Sequence, residues 1–279
     1  MQKEVWIHTK KYEIPAVITC PGGNLAVPCV ILCHGTASHK DEVGNMFADI
    51  ANGLAEKGIA SIRFDFAGCG DSKARMRELT FYGEVEDTLA VYDYVCQLPQ
   101  IDAKRIGILG FSQGARVMAE VLKKLPMLFC AVSWSGACHN GYGIYEKLFG
   151  YYEEEAKSCG FAVIPMSWRE DLELSYQWFK EIKYSEPMEG FKTYKGPLLV
   201  MAGKKDDVVS FKHSEEIYEC SRHQKRRLRI YDQADHTFCA LDEMCGMKNK
   251  VLKETVEWIY EVSNHRNGDH GMSLCKNDF

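Results

Sequence analysis

Residues 105–116 read Arg-Ile-Gly-Ile-Leu-Gly-Phe-Ser-Gln-Gly-Ala-Arg. An apolar run leads directly into G-x-S-x-G, and a helix-compatible stretch follows. The spacing predicts a strand over 105–111, a tight turn at Ser112 and a helix over 113–125. Such a strand-to-helix turn forces the serine into a strained backbone conformation. Side chains two positions away on either side would collide, which accounts for glycine at 110 and 114. The turn lifts the hydroxyl out of the sheet. It also leaves the Gln113 N–H at a helix N-terminus, where the dipole favours an anion. Five residues match by chance fairly often, and a serine capping an ordinary loop is the plainer alternative. The flanking strand and helix give the motif its weight.

Working outward, the same rhythm recurs. Val5–Thr9 and Glu13–Thr19 alternate as a hairpin would, and Pro21-Gly22-Gly23-Asn24 is a turn. Val27–Cys33 is continuously apolar and ends in His34-Gly35, as suits a strand buried on both faces. Met46–Lys57 reads as helix, Ile59–Phe66 as strand and Phe81–Leu98 as helix, with Val85, Leu89, Tyr92 and Cys96 on one face. Leu128–Ser135 and Leu198–Ala202 read as strands, Phe211–Cys220 as helix, Leu228–Tyr231 as strand and Val251–Val262 as helix. Alternating strands and helices in this order imply an α/β fold, a mostly parallel sheet with helices on both faces.

The rhythm breaks between Gly136 and Gly196. The expected division is a core of 1–135 and 196–263, a helical cap insertion of 136–195 and a loose tail of 264–279. The insertion holds Tyr142, Tyr145, Phe149, Tyr151, Tyr152, Phe161, Trp168, Tyr176, Trp178 and Phe179, together with the acidic run Glu153-Glu154-Glu155.

The 279 residues are 46% hydrophobic, enough for one large core. A net charge of −5 gives no general attraction to nucleic acid or anionic membrane. The basic cluster Lys225, Arg226, Arg227 and Arg229 reads as a solvated edge strand. No apolar run approaches the length of a membrane span, and the N-terminus lacks a signal-like apolar region. The 12 cysteines include no CxxC pair, so they read as free thiols of a cytoplasmic protein. His236-x2-Cys239-x5-Cys245 fits no common zinc pattern.

A serine hydroxyl becomes a good nucleophile when an imidazole accepts its proton and a carboxylate orients that imidazole. In a strand–G-x-S-x-G–helix fold the chain order is serine, acid, histidine. After the strand at 198–202 the chain reads Gly203-Lys204-Lys205-Asp206-Asp207. Asp206 is the expected acid, with Asp207 its rival. After the strand at 228–231 comes Asp232-Gln233-Ala234-Asp235-His236, and His236 is the expected base. His8, His213, His223, His265 and His270 lack that placement. Negative charge on an acyl oxygen needs fixed donors. The Gln113 N–H is one candidate, and the Thr36 N–H in His34-Gly35-Thr36-Ala37 is the other. His34 itself reads as structural.

With these residues on the page, the chain resembles the α/β-hydrolase superfamily over nearly its whole length, most of all the small bacterial feruloyl/cinnamoyl esterases. The resemblance rests on HGTASHK at 34–40, IASIRFDFAGCGDS at 59–72, GFSQG at 110–114, GKKDDVVS at 203–210 and ADHTF at 234–238. It implies a triad of Ser112, Asp206 and His236, backbone donors at Thr36 and Gln113, and an insertion over the pocket. It also implies that Arg63-Phe64-Asp65 and Gly70-Asp71-Ser72 shape loops. The expected activity is hydrolysis of a small-molecule carboxylic ester through an acyl-enzyme. No cofactor or metal enters that chemistry, and neither nucleic acid nor membrane is an expected partner. A homodimer is compatible with this reading. A thioesterase, an acyl-peptide hydrolase, an acyltransferase and a non-catalytic receptor are the competing readings.

Overall fold

The computed structural model describes residues 1–23, 25–139, 149–166, 170–242 and 244–265. Its centre is an eight-stranded sheet of order β1-β2-β4-β3-β5-β6-β9-β10. The strands are β1 (Gln2–His8), β2 (Glu13–Thr19), β3 (Val27–Cys33), β4 (Ala60–Phe64), β5 (Ile101–Phe111), β6 (Ala131–Trp134), β9 (Leu198–Gly203) and β10 (Arg227–Tyr231). β1 and β2 form an antiparallel hairpin, and β2 pairs antiparallel with β4. Every other pairing in the sheet is parallel.

Side-chain alternation explains why the inner strands read as unbroken apolar runs. In β3, Cys29, Ile31 and Cys33 join the core on one side of the sheet. Val30 and Leu32 join a second core on the other side. Helices cover both faces. α1 (Met46–Glu56) and the last helix, α8 (Met247–His265), pack on the Val30/Leu32 side. α2 (Phe81–Cys96) and α3 (Gln113–Lys124) pack on the other. With water excluded from both faces, truncating a residue such as Leu32 to alanine removes about 2–5 kcal/mol.

The connections position the site. From β3 the chain crosses to β4 on one side, then to β5 on the other. This reversal opens a crevice at the carboxyl ends of β3 and β5, where ligands bind in open parallel sheets.

Several elements differ from the sequence reading. The apolar face of α2 is rotated: Phe81, Glu84, Val85, Asp87, Thr88, Val91 and Val95 are buried, whereas Leu89, Tyr92 and Cys96 are partly buried. Apolar periodicity misses this face because three of its members are polar. β6 is shorter than expected, and α8 is longer than Val251–Val262 at both ends. Asn264 and His265 therefore belong to a helix rather than to the tail. The rest of the expected tail, 266–279, lies outside the described residues, as do Tyr142, Tyr145 and Trp168.

Between β6 and β9 the chain is not purely helical. α4 (Glu153–Cys159), α5 (Tyr176–Tyr184) and α6 (Pro187–Thr193) accompany a two-stranded antiparallel sheet, β7 (Phe161–Ile164) with β8 (Leu172–Ser175). Trp178 is fully buried here, packed edge-on against Phe149 and Phe179. The segment is tied to the core by polar contacts. The fully buried Arg116 of α3 donates to Ser185 Oγ at 2.7 Å, and Arg77 pairs with Glu173 at 3.1 Å.

The basic cluster is only partly the solvated edge strand expected: Arg227 and Arg229 lie on β10, whereas Lys225 and Arg226 precede it, and Arg226 is half-buried over the Tyr218 ring. Arg227 and Arg229 reach Glu261 and Glu254 on α8 at 3.2 and 3.0 Å. All cysteines among the described residues are free thiols. Among the described residues, no helix is long and apolar enough to cross a membrane.

Candidate active site

The turn between β5 and α3 has the strained form its glycines imply. Ser112 sits at φ 52° and ψ −117°, a region L-residues rarely occupy. A Cβ on Gly114 would lie 2.0 Å from the Cys33 carbonyl oxygen, and one on Gly110 would lie 2.3 Å from the Gly114 carbonyl oxygen. The backbones of β3 and α3 approach so closely that no side chain fits between them. The Ser112 N–H donates to the Trp134 carbonyl at 2.8 Å, fastening the turn to the end of β6.

Three residues distant in sequence meet above this turn. Ser112 Oγ lies 3.0 Å from His236 Nε2, and His236 Nδ1 lies 2.8 Å from Asp206 Oδ2. A carboxylate only accepts, so Nδ1 carries the proton and Nε2 is left to accept from the hydroxyl. Asp206 Oδ1 accepts from the Val208 and Val209 N–H groups at 2.9 and 2.7 Å, which fixes the carboxylate. Its side chain is fully enclosed, whereas Asp207 is exposed. Between the two adjacent aspartates, the geometry brings Asp206 to the histidine.

The loop holding His236 is braced from both ends. Asp235 Oδ1 accepts from the Thr237 and Cys239 N–H groups at 2.9 and 2.8 Å. Ser135 Oγ donates to the His236 carbonyl at 2.9 Å. The imidazole also rests against Phe111, with ring centroids 5.3 Å apart.

Thr36 and Gln113 are neighbours across the crevice. Thr36 Oγ1 donates to Gln113 Oε1 at 3.1 Å, and Gln113 Nε2 donates to Glu84 Oε2 at 2.5 Å. Burial pushes the Glu84 carboxyl well above the usual carboxylate range. The chain Thr36–Gln113–Glu84 thus joins the β3 loop, the head of α3 and the buried face of α2.

His34 is fully buried and structural. Its Nδ1 donates to the Gly35 carbonyl at 2.8 Å, and its Nε2 accepts from the Phe66 N–H at 3.2 Å. Burial lowers its pKa, which favours the neutral ring these two bonds require. Asp65 is equally buried and gathers loops. It accepts from the Lys40 N–H, the Lys40 ammonium and the Asp71 N–H at 2.6, 2.9 and 3.0 Å.

Sequence reasoning missed Glu42. It is buried at φ 60°; its Oε2 accepts from the Gly35 N–H at 2.7 Å, and its Oε1 accepts from Ser38 Oγ at 2.8 Å and the Val43 N–H at 2.9 Å. One carboxylate therefore holds the loop that carries Thr36. A lone acidic residue in a loop, between Asp41 and Val43, gives no periodic signal. A loop too short to satisfy its own N–H groups was the available hint.

The chain matches the Prolyl oligopeptidase family over residues 47–266. It is 30% identical over 126 residues to the 31.7 kDa protein of the traX-finO intergenic region of Escherichia coli. That match spans 45% of this chain and 43% of the relative, less than half of its length. The YfhR protein of Escherichia coli K12 is 26% identical over 252 residues, covering 89% of this chain and 75% of the relative. Among solved structures, Est1E of Butyrivibrio proteoclasticus with ferulic acid bound superposes with a TM-score of 0.70 at 19% identity. It covers 91% of this chain and 99% of its own. With a family match extending from α1 into α8, on a sheet of this topology, the chain belongs to the prolyl oligopeptidase family within the α/β-hydrolase superfamily.

Proposed function

We propose that this chain is a serine hydrolase of small carboxylic esters, working through an acyl-enzyme. The observation that carries the reading is the hydrogen-bonded series Ser112–His236–Asp206 above a strained glycine turn. Ser112 Oγ attacks the acyl carbon while His236 Nε2 takes its proton. The tetrahedral oxyanion is held by the Thr36 and Gln113 N–H groups, the latter at the positive end of α3. His236 then protonates the leaving alkoxide. In the second half-reaction it deprotonates a water, which releases the acid and frees Ser112. Asp206 keeps the imidazole in the correct tautomer throughout. Segment 136–195 acts as a cap over the acyl pocket.

Hydroxycinnamoyl or other small acyl esters are the proposed substrates, supported by likeness to a fold solved with ferulic acid bound. Family membership favours a second reading, cleavage of an acyl-peptide bond by the same residues. Thioester hydrolysis and acyl transfer share the triad. The first test is hydrolysis of a short p-nitrophenyl ester with fluorophosphonate labelling. Wild type is expected to turn over and to be labelled at Ser112, and Ser112→Ala to do neither. Equal rates in the two proteins overturn the assignment. Methyl hydroxycinnamates, short alkyl esters, acyl-thioesters and acyl-peptides then rank the substrate classes by kcat/KM.

A further inference from the structure

A second cluster of reactive side chains lies outside the triad. Cys138 and His139 follow β6, at the root of segment 136–195. His213 and Glu216 lie one turn apart on α7 (Lys212–Cys220), which begins just beyond the Asp206 loop. Cys138 Sγ is 3.3 Å from His213 Nδ1 and 3.7 Å from Glu216 Oε2. His139 Nε2 is 3.0 Å from Glu216 Oε2. One ligand atom from each of Cys138, His139 and His213 falls within 4.8 Å of the others, and the two imidazoles stand edge to face with centroids 5.0 Å apart.

We propose that Cys138, His139, His213 and Glu216 form a tetrahedral site for a divalent transition ion of the zinc type. Bond lengths of about 2.3 Å for Zn–S and 2.0–2.1 Å for Zn–N place the ligand atoms of a tetrahedral centre roughly 3.3–3.6 Å apart. The separations observed here bracket that range. The donor set matches as well, because one thiol, two imidazoles and one carboxylate suit zinc and discriminate against calcium and magnesium. Electrostatics point the same way. The cluster brings a thiol and a carboxylate together. A dication shared between them satisfies both.

A nucleophilic thiol is the rival explanation for a cysteine beside a histidine. Cys138 is fully buried with its Sγ 3.7 Å from the Glu216 carboxylate, the opposite of the electropositive, partly exposed setting a free nucleophile needs. Binding replaces the S–H bond with a metal–sulfur bond and releases that proton to solvent. His213 Nδ1 gives up the long 3.3 Å contact it accepts from the Cys138 N–H. The bound ion joins the exit of β6 to the start of α7. Since Met188 of α6 donates to the Cys138 carbonyl at 3.1 Å, the ion also anchors the far end of segment 136–195. The site is structural, and the ester chemistry does not run through it.

Cobalt titration of the reduced, chelator-stripped full chain tests this. Co²⁺ is expected to bind with a single equivalent, giving a thiolate-to-cobalt charge-transfer band and the intense visible bands of a tetrahedral ion. Zn²⁺ should bleach both and raise the melting temperature. Cys138→Ser should lose the charge-transfer band. His139→Gln, at a side chain exposed enough to leave the fold intact, should weaken Co²⁺ binding by roughly tenfold or more. Cys239→Ser should change nothing. No charge-transfer band in folded wild type, or a band that survives Cys138→Ser, overturns the site. Should Cys138→Ser fail to fold, His139→Gln and Glu216→Gln decide: unchanged affinity in both rejects the proposal.

Discussion

Asp206 and Asp207 are adjacent and chemically identical, yet one carboxylate is enclosed by two backbone N–H groups and an imidazole while the other faces water. Sequence order alone left the two as rivals, because a one-residue choice depends on how the chain leaves β9. Asp206→Asn is therefore expected to lower kcat by about 10⁴-fold through loss of the imidazole tautomer. Asp207→Asn should stay close to wild type. Steady-state rates on the same p-nitrophenyl ester distinguish them, and similar losses in both would reject the assignment. Ser112 and His236 were legible because each is bound to a recognisable pattern, a glycine pair and a post-strand loop. Glu42 was not legible, because its role depends on loop closure around it.

Elements show the same division. Strands buried on both faces announce themselves as apolar runs: β3 and β9 were read to within one residue, whereas β5 begins at Ile101, four residues before the strand read at Arg105, because Asp102, Lys104 and Arg105 interrupt its apolar run. α2 was found but turned incorrectly. Its buried face carries Glu84, Asp87 and Thr88, whose partners are Gln113, the Ala67 N–H and other groups distant in sequence. The β7–β8 pair was read as helical because its two short strands gain their pairing only from each other. The β3–α1 connection bears on the proposed catalysis, because it carries Thr36. Glu42→Ala removes the acceptor for the Gly35 and Val43 N–H groups and for Ser38 Oγ. Losing these should loosen the loop that carries Thr36. The expected result is a fall in kcat approaching the roughly 10²–10³-fold of a lost oxyanion donor, with a smaller change in KM. Glu42→Gln, which keeps an acceptor, should recover part of it. An Ala variant with wild-type kcat would show that the loop holds its shape without Glu42.

Across the whole molecule, strand order was the least legible feature, since reversal of the sheet around β3 leaves no local trace. Its energetic consequences include polar groups sealed between sheet and helices. Asp87 is such a group. Tyr12 donates to it at 2.7 Å and the Ala67 N–H at 3.1 Å, while Lys11 and Glu86 face it from β2's approach and from α2. Burial outweighs these bonds and raises its pKa to about 6. The raised value means that the folded state holds the proton more tightly than the unfolded chain. Stability from this group is therefore fully present below the ordinary carboxylate value of 3.8 and lost as pH rises through about 6. The loss is of the order of 3 kcal/mol at most. Urea unfolding of wild type and Asp87→Asn should show the wild type losing ground to the variant between pH 4 and 7. Parallel curves would assign the titration elsewhere. A final consequence follows from the φ of 52° at Ser112. That backbone state costs an L-residue on the order of 1–3 kcal/mol and costs glycine much less. Ser112→Gly should thus yield a dead protein with a higher melting temperature than the living one. Directed evolution for heat resistance, without a screen for turnover, would be drawn toward that change: at this position durability and reactivity are rival traits of one codon.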